Sequence, residues 1–94
     1  MKLSEADLNQ LEEFGSIALS LADIAVILQV NPDELQTACS EQTSLEHQRY
    51  QAGFLRLKAE LRKSIKDSAI QGSNPAQNLM IRFIDEIENS KEIY

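Results

Sequence analysis

The 94-residue chain contains little that would break or crosslink a fold: two prolines, three glycines and a single cysteine, Cys39. One cysteine excludes an internal disulfide and is typical of proteins kept in a reducing cytosol. No apolar run is long enough to cross a bilayer, and Met1 leads into a polar segment rather than an apolar signal sequence. We therefore expect a soluble, cytoplasmic protein with no membrane association.

Residues that carry chemistry are also scarce. Zinc sites need several Cys or His ligands, and the chain has only Cys39 and His47, eight positions apart. General acid and base catalysis needs acids in distinct, partly buried environments, whereas Asp85 and Glu88 flank an apolar stripe. There is no glycine-rich phosphate loop and no nucleophile motif. The sequence thus predicts no catalytic residues, no metal site, no cofactor and no enzymatic activity.

Helix-forming residues and repeated helix-start signals dominate the chain instead. Ala, Leu, Ile, Glu and Gln are frequent and no alternating β-branched run occurs, so the predicted fold class is all-α. A capping residue followed three positions later by an acid or amide predicts a helix start. Gly15 is expected to end the first helix and Gly72 the fourth. The five predicted caps are Ser4, Ser20, Asn31, Thr43 and Asn74.

The predicted helices divide into two regions. Residues 1–42 are expected to form a three-helix unit, and residues 43–94 a long helix followed by a closing helix in an αα-hairpin. At ~1.5 Å per residue the long helix would extend about 40 Å, more than a compact three-helix unit can cover. Part of it should project, pack on the closing helix or meet another subunit. Residues 43–94 are therefore the predicted oligomerisation region.

Residues 19–40 have the spacing of a helix-turn-helix. The caps Ser20 and Asn31 lie eleven positions apart, and the small residue Ala25 stands where two helices would cross. Gln29 occupies a turn position that is usually glycine, and glutamine can adopt the left-handed conformation there at some cost. Apolar residues stand where the motif packs its core: Ile24, Leu28, Val30, Leu35 and Ala38.

In a helix-turn-helix, the N-terminal residues of the second helix reach base edges. The candidate contacts are Asp33, Gln36 and Thr37. Asp33 could accept from cytosine N4, Gln36 could pair with adenine, and Thr37 could contact a thymine methyl or a phosphate. Asp33 and Glu34 oppose phosphate binding, so this helix is a poor source of affinity. An alternative interpretation is that both acids only favour the helix N-terminus through its dipole.

Charge is distributed unevenly along the chain, whose net charge is −6. Residues 1–48 carry one basic and nine acidic residues, giving 1 − 9 = −8, while residues 49–66 carry six basic and one acidic, giving 6 − 1 = +5. The basic segment is the better candidate for phosphate contact, with an ordinary solvated face as the alternative. Its candidate DNA-binding residues are Arg49, Arg56, Lys58, Arg62, Lys63 and Lys66.

The last two helices each carry an apolar stripe at helical spacing. We expect most residues of both stripes to lie in the core. Any apolar residues of the stripes that stay exposed would mediate self-association. Leu55 lies among the basic residues and is a candidate exposed contact. The fourth helix has Tyr50, Phe54, Leu57, Leu61 and Ile65 in its stripe, and the closing helix has Ala76, Leu79, Met80, Phe83, Ile84 and Ile87. The predicted oligomerisation residues are Leu55, Met80, Phe83, Ile84 and Ile87.

Residues 21–38, together with AIQGSNPAQNLMIRF at 69–83, resemble the small terminase subunits of tailed phages. The resemblance covers most of the chain. It implies an oligomeric, non-enzymatic protein that binds double-stranded DNA for packaging in the bacterial host cell and passes it to a large ATPase-nuclease subunit. Two other hypotheses keep the same fold. One is an acidic protein-interaction module, and the other is a dimeric transcription regulator with a palindromic site.

Overall fold

The computed structural model describes residues 1–90, which form five α-helices and no β-strand. The all-α prediction is confirmed for this part of the chain. The end of the predicted region 43–94 lies outside the described residues. The helices are α1 (Glu5–Gly15), α2 (Leu21–Leu28), α3 (Pro32–Ser40), α4 (Leu45–Ile70) and α5 (Asn74–Ser90).

The first three helices begin at the predicted caps. The Ser4 and Ser20 hydroxyl oxygens each accept a hydrogen bond from the backbone N–H three residues later, at 3.1 Å and 3.2 Å. The Asn31 side-chain oxygen accepts from the N–H groups of Asp33 and Glu34, at 2.9 Å and 3.0 Å. These starts were predictable because each depends on contacts within three residues.

The caps of α4 and α5 each lie one residue from their predicted positions. Ser44, not Thr43, caps α4, because its hydroxyl oxygen accepts from the N–H of His47 at 2.9 Å and lies 2.5 Å from the Ala38 carbonyl oxygen. Ser73, not Asn74, caps α5 by accepting from the N–H of Ala76 at 3.4 Å. Ser73 is the first residue after the glycine that ends α4, so its backbone already leaves the helix there.

Three helix ends share one geometry, in which a residue with positive φ follows the last helical turn. In each case the next N–H bonds to the carbonyl five residues earlier, which satisfies the otherwise unpaired end of the helix. Gly72 ends α4 in this way, as predicted. α1 ends at Gly15, but the left-handed residue there is Ala18. The three left-handed residues are Ala18 (φ 60°), Gln29 (φ 60°) and Gly72 (φ 106°).

The chain forms two compact units, Met1–Lys58 and Ala59–Tyr94. The division falls inside α4, and the start of α4 is bonded to the preceding helices. The boundary at residue 42 stays a prediction. Ser44 and His47 bond to carbonyl groups of α3, and Arg49 bonds to α1. The core of the first unit consists of Leu3, Leu8, Leu11, Ile24, Ala25, Leu35 and Cys39.

Two glycines allow α1 and α4 to approach closely within the first unit. A Cβ atom on Gly53 would lie 1.9 Å from the carbonyl oxygen of Glu12, and one on Gly15 would lie 2.7 Å from that of Tyr50. Contacts this short are sterically forbidden, so both positions require glycine. Tyr50 completes the packing by donating its hydroxyl hydrogen to the carbonyl of Leu19 at 2.9 Å.

The second unit contains the last part of α4 and α5. The Gln77 side-chain amide donates to the carbonyl of Ala69 at 3.0 Å, and Arg62 lies 3.6 Å from Glu86. Only Ala76 is buried among the described residues of this unit. Much of the apolar surface of the unit therefore stays in contact with solvent. Across residues 1–90, no helix combines the length and the apolar character needed to span a membrane.

Candidate nucleic-acid interface

α2 and α3 pack against each other and orient the predicted base-contacting residues. Ile24, Ala25 and Leu35 are fully buried, each with 0% of its surface exposed. Between the helices, Gln29 adopts φ 60° and ψ 43°, the left-handed conformation expected from the sequence. This turn lets the next residues start α3 at once. The buried residues therefore fix which side of α3 faces outward.

The outward side of α3 carries the residues that the sequence predicted as base contacts. Asp33, Gln36 and Thr37 are all exposed, and with Ser40 they line one shallow depression. Their side chains can reach a partner without any rearrangement of the core. Among the described residues, neither this depression nor its neighbour, which Glu41 and Glu46 also line, contains a Lys or Arg. The surface is polar and negatively charged.

Arg49 and Arg56, two of the predicted phosphate contacts, are bound to α1. Arg49 donates to Glu12 at 2.8 Å, to Glu5 at 3.1 Å and to the side chain of Asn9. Arg56 donates to the other carboxylate oxygen of Glu12 at 2.8 Å. The guanidinium of Arg56, followed by that of Arg49, holds the pKa of the Glu12 carboxyl below its usual value. These two cations help to attach α4 to α1.

The remaining predicted cations differ in how they are held. Arg62 lies near Glu86 and stacks on Phe83, with its guanidinium carbon 4.1 Å from the ring centroid. The side chains of Lys58, Lys63 and Lys66 are exposed, and none of the ion pairs within residues 1–90 involves them. The lysines are therefore available to an anionic partner.

The residues predicted to mediate self-association are partly or fully accessible. Met80 and Phe83 are half-buried, while Leu55, Ile84 and Ile87 are exposed. Further apolar residues are exposed that were not predicted from the sequence, among them Val26, which is 73% exposed. The signal was present in α2, LADIAVIL, which is apolar on nearly all sides, although it can bury only one of them.

The only cysteine and the only histidine have structural roles. His47 donates through Nδ1 to the carbonyl of Cys39 at 2.7 Å. Burial, with a smaller effect from Glu46, raises the pKa of the Cys39 thiol to about 11, so the sulfur is protonated at neutral pH and a poor nucleophile or metal ligand. Over the described part of the chain, no group of His, Cys, Asp or Glu residues could hold a metal ion.

Comparisons with known proteins identified no relative of this chain. A scan against protein-family models, a search of curated proteins and a search of solved structures found no match.

Proposed function

We propose that the protein is a non-enzymatic, oligomeric helix-turn-helix protein that binds double-stranded DNA. In this proposal α2, the turn at Gln29 and α3 form the helix-turn-helix, and α4 and α5 form an αα-hairpin. The observation that carries the proposal is the packing of α2 on α3 around fully buried Ile24 and Leu35, with the polar side of α3 left exposed. In helix-turn-helix proteins that side of the second helix lies in the major groove.

α3 and α4 have different tasks in this proposal. Gln36 and Thr37 supply sequence discrimination, because their side chains can pair with adenine and contact a thymine methyl. Asp33 can accept a hydrogen bond from cytosine but adds no affinity for phosphate. The affinity comes from unpaired lysines, of which Lys63 and Lys66 are three residues apart on one side of α4.

Self-association compensates for the small number of free cations per chain. Each neutralised phosphate adds only a limited increment of affinity, so one copy alone should bind DNA weakly. Several linked copies on one duplex bind far more tightly than a single copy, without any new contact. The exposed Ile84 and Ile87 of α5 offer apolar surface for that association.

The biological setting follows from the resemblance to small terminase subunits at residues 21–38 and 69–83. In that setting the protein acts in the cytoplasm of a bacterial host, recognises phage DNA and passes it to a large ATPase-nuclease subunit. No cofactor and no membrane are involved.

Removal of the unpaired lysines tests the DNA-binding proposal. Lys63→Gln with Lys66→Gln should weaken binding to unrelated duplexes alike and reduce the slope of log affinity against log salt by up to ~1.8, or ~0.9 per phosphate. Fluorescence anisotropy over a salt series with labelled duplexes measures both quantities. The matched control is Gln48→Glu with Gln51→Glu, which changes the net charge equally at two exposed positions of the same helix. Equal losses in both double variants would contradict a local phosphate contact.

The acidic interaction module is the second candidate, and one observation favours it. Residues 1–58 carry four basic and nine acidic residues, giving 4 − 9 = −5, and two of the four basic residues are ion-paired with Glu12. Such a surface repels DNA and attracts a basic protein. Failure of the protein to bind any duplex at low salt, both as wild type and with the Glu12 charge removed, would leave this candidate as the function.

A further inference from the structure

We propose that Glu12 acts as an intramolecular competitor of DNA phosphate, because it occupies Arg49 and Arg56 and thereby limits the affinity of α4 for DNA. This inference rests on the proposed function and adds a means of regulating it. Both oxygens of the Glu12 carboxylate are engaged, Oε1 by Arg49 Nε and Oε2 by Arg56 Nη2, each at 2.8 Å. Phosphate oxygens bind guanidinium groups with the same charge and hydrogen-bond geometry.

The backbone fixes Glu12 in its position between the two arginines. The carbonyl oxygen of Glu12 lies only 1.9 Å from the position that a Cβ atom on Gly53 would take. Gly53 is four residues after Arg49 and three before Arg56. The two arginines are therefore one turn on either side of the closest approach between α1 and α4. The Glu12 backbone is therefore held at the level of both guanidinium groups, while its side chain keeps its rotational freedom.

The two guanidinium groups remain within reach of solvent. The Arg56 side chain is 54% exposed and the Arg49 side chain is 25% exposed, so a phosphate can approach either one, and Arg56 more easily. A phosphate that binds Arg56 has to displace the Glu12 carboxylate. Lys58, two residues later on the same helix, has no ion pair among residues 1–90 and requires no displacement.

Glu13 provides a matched comparison because it differs from Glu12 mainly in its contacts. It carries the same charge, is the next residue of α1, is exposed and belongs to none of the ion pairs in the described residues. Removal of either charge changes the net charge of the protein equally. A difference between the two variants therefore reports chiefly the release of Arg56, because Arg49 keeps Glu5 and Asn9 as partners.

The decisive experiment compares Glu12→Gln, Glu13→Gln and wild type in anisotropy titrations of a labelled duplex over a salt series. Glu12→Gln should bind roughly three- to tenfold more tightly than Glu13→Gln, and its salt slope should be steeper by up to ~0.9, for one additional phosphate at Arg56. Arg49 keeps its ion pair with Glu5 in both variants. The gain should shrink in Glu12→Gln with Arg56→Gln, because that double variant lacks the cation that loss of the Glu12 charge releases.

A second comparison covers the case in which circular dichroism finds Glu12→Gln unfolded. In the wild-type background, Arg56→Gln should reduce DNA affinity less than Lys58→Gln, because only Arg56 is already occupied by a carboxylate. Equal losses in these two variants would overturn the competitor role.

The outcomes separate the two proposals. If all three proteins bind DNA and folded Glu12→Gln matches Glu13→Gln, Glu12 has a structural role only, the competitor role is overturned and DNA binding stands. If Glu12→Gln binds and wild type does not, the competitor role is supported in its strongest form. If no protein binds at low salt, both the proposed function and the competitor role are overturned.

Discussion

Gln29 has a backbone conformation that L-residues rarely adopt. With φ 60° and ψ 43° it lies in the left-handed region, where its Cβ crowds the carbonyl oxygen. The conformation persists because its own N–H and that of Val30 bond back to carbonyl groups of α2, at 3.3 Å and 3.0 Å. The turn between α2 and α3 therefore has a local energetic cost that the surrounding packing offsets.

Replacement of Gln29 by glycine should remove most of that cost. We expect Gln29→Gly to raise the free energy of unfolding by up to about 1 kcal/mol, since relief of left-handed strain exceeds the added entropy of the unfolded chain. Chemical denaturation followed by circular dichroism measures the change. Gln10→Gly, at an exposed helical position of α1, should instead lower the free energy of unfolding by ~1 kcal/mol. A loss of stability in both variants would contradict the argument.

At the residue scale, sequence reasoning succeeded where the interaction is local. The caps Ser4, Ser20 and Asn31 and the left-handed Gln29 depend on neighbours within five residues, so their chemistry is visible in the sequence. The partners of Arg49 were not predictable, because Glu12 is 37 residues earlier in the chain. Arg49 and Arg56 could be counted as free cations only while those partners were unknown.

At the element scale, the crossing of α1 and α4 organises the first unit. Gly15 and Gly53 bring the two backbones together, and the ion pairs of Glu12 lie beside the crossing. The sequence predicted both helices, but it interpreted Gly15 only as a stop signal. Close approach between helices that are distant in sequence leaves no local signal. The role of these two glycines can therefore be identified only from the folded structure.

Gly53→Ala should therefore destabilise the protein, although alanine favours helix formation. The new methyl group would meet the backbone of Glu12, which cannot rotate away as a side chain can, and overpacking of this kind typically costs about 1–3 kcal/mol. Urea denaturation measures the loss. Gln51→Ala, at an exposed position of the same helix, should stay within about 0.5 kcal/mol of wild type. Unchanged stability in Gly53→Ala would mean that the helices are less closely packed.

At the scale of the whole molecule, the main feature is apolar surface that a single chain leaves exposed to solvent. In α5, Ile84 is 50% exposed and Ile87 is 36% exposed, although both belong to a stripe expected to be mainly core. Two helices can bury only the sides that face each other, and large exposed apolar patches commonly mark interaction sites. Self-association is the proposed use of this surface.

Charge substitution on that stripe tests the association. Ile84→Glu with Ile87→Glu should reduce the molar mass measured by light scattering, because burial of charge in an apolar contact is costly. The control is Asn78→Glu with Asn89→Glu, which adds the same charge at exposed positions on the opposite side of α5. It should keep the wild-type mass. A wild-type protein that is monomeric at all concentrations would contradict self-association.

The compact units of the chain depend on contacts of a different kind from those that start its helices. The predicted boundary at residue 42 follows from the lapse in apolar pattern before α4 and stays a prediction, while the compact first unit of the fold extends to Lys58. The extension depends on Ser44, His47 and Tyr50, whose bonds to carbonyl groups of earlier residues no periodicity indicates. Sequence patterns thus locate helices, and specific polar contacts decide which helices belong together.

The glycine at position 53 also sets the register of α4 along α1. Sliding by one turn, ~5.4 Å, would bring Tyr50 or Leu57 against the Glu12 carbonyl, and each carries the Cβ that this position excludes. α4 therefore has one permitted axial position within the first unit. Exchange of Glu12 for a phosphate at Arg49 and Arg56 would then proceed by side-chain rotation over a stationary backbone, so it would not require the first unit to unfold.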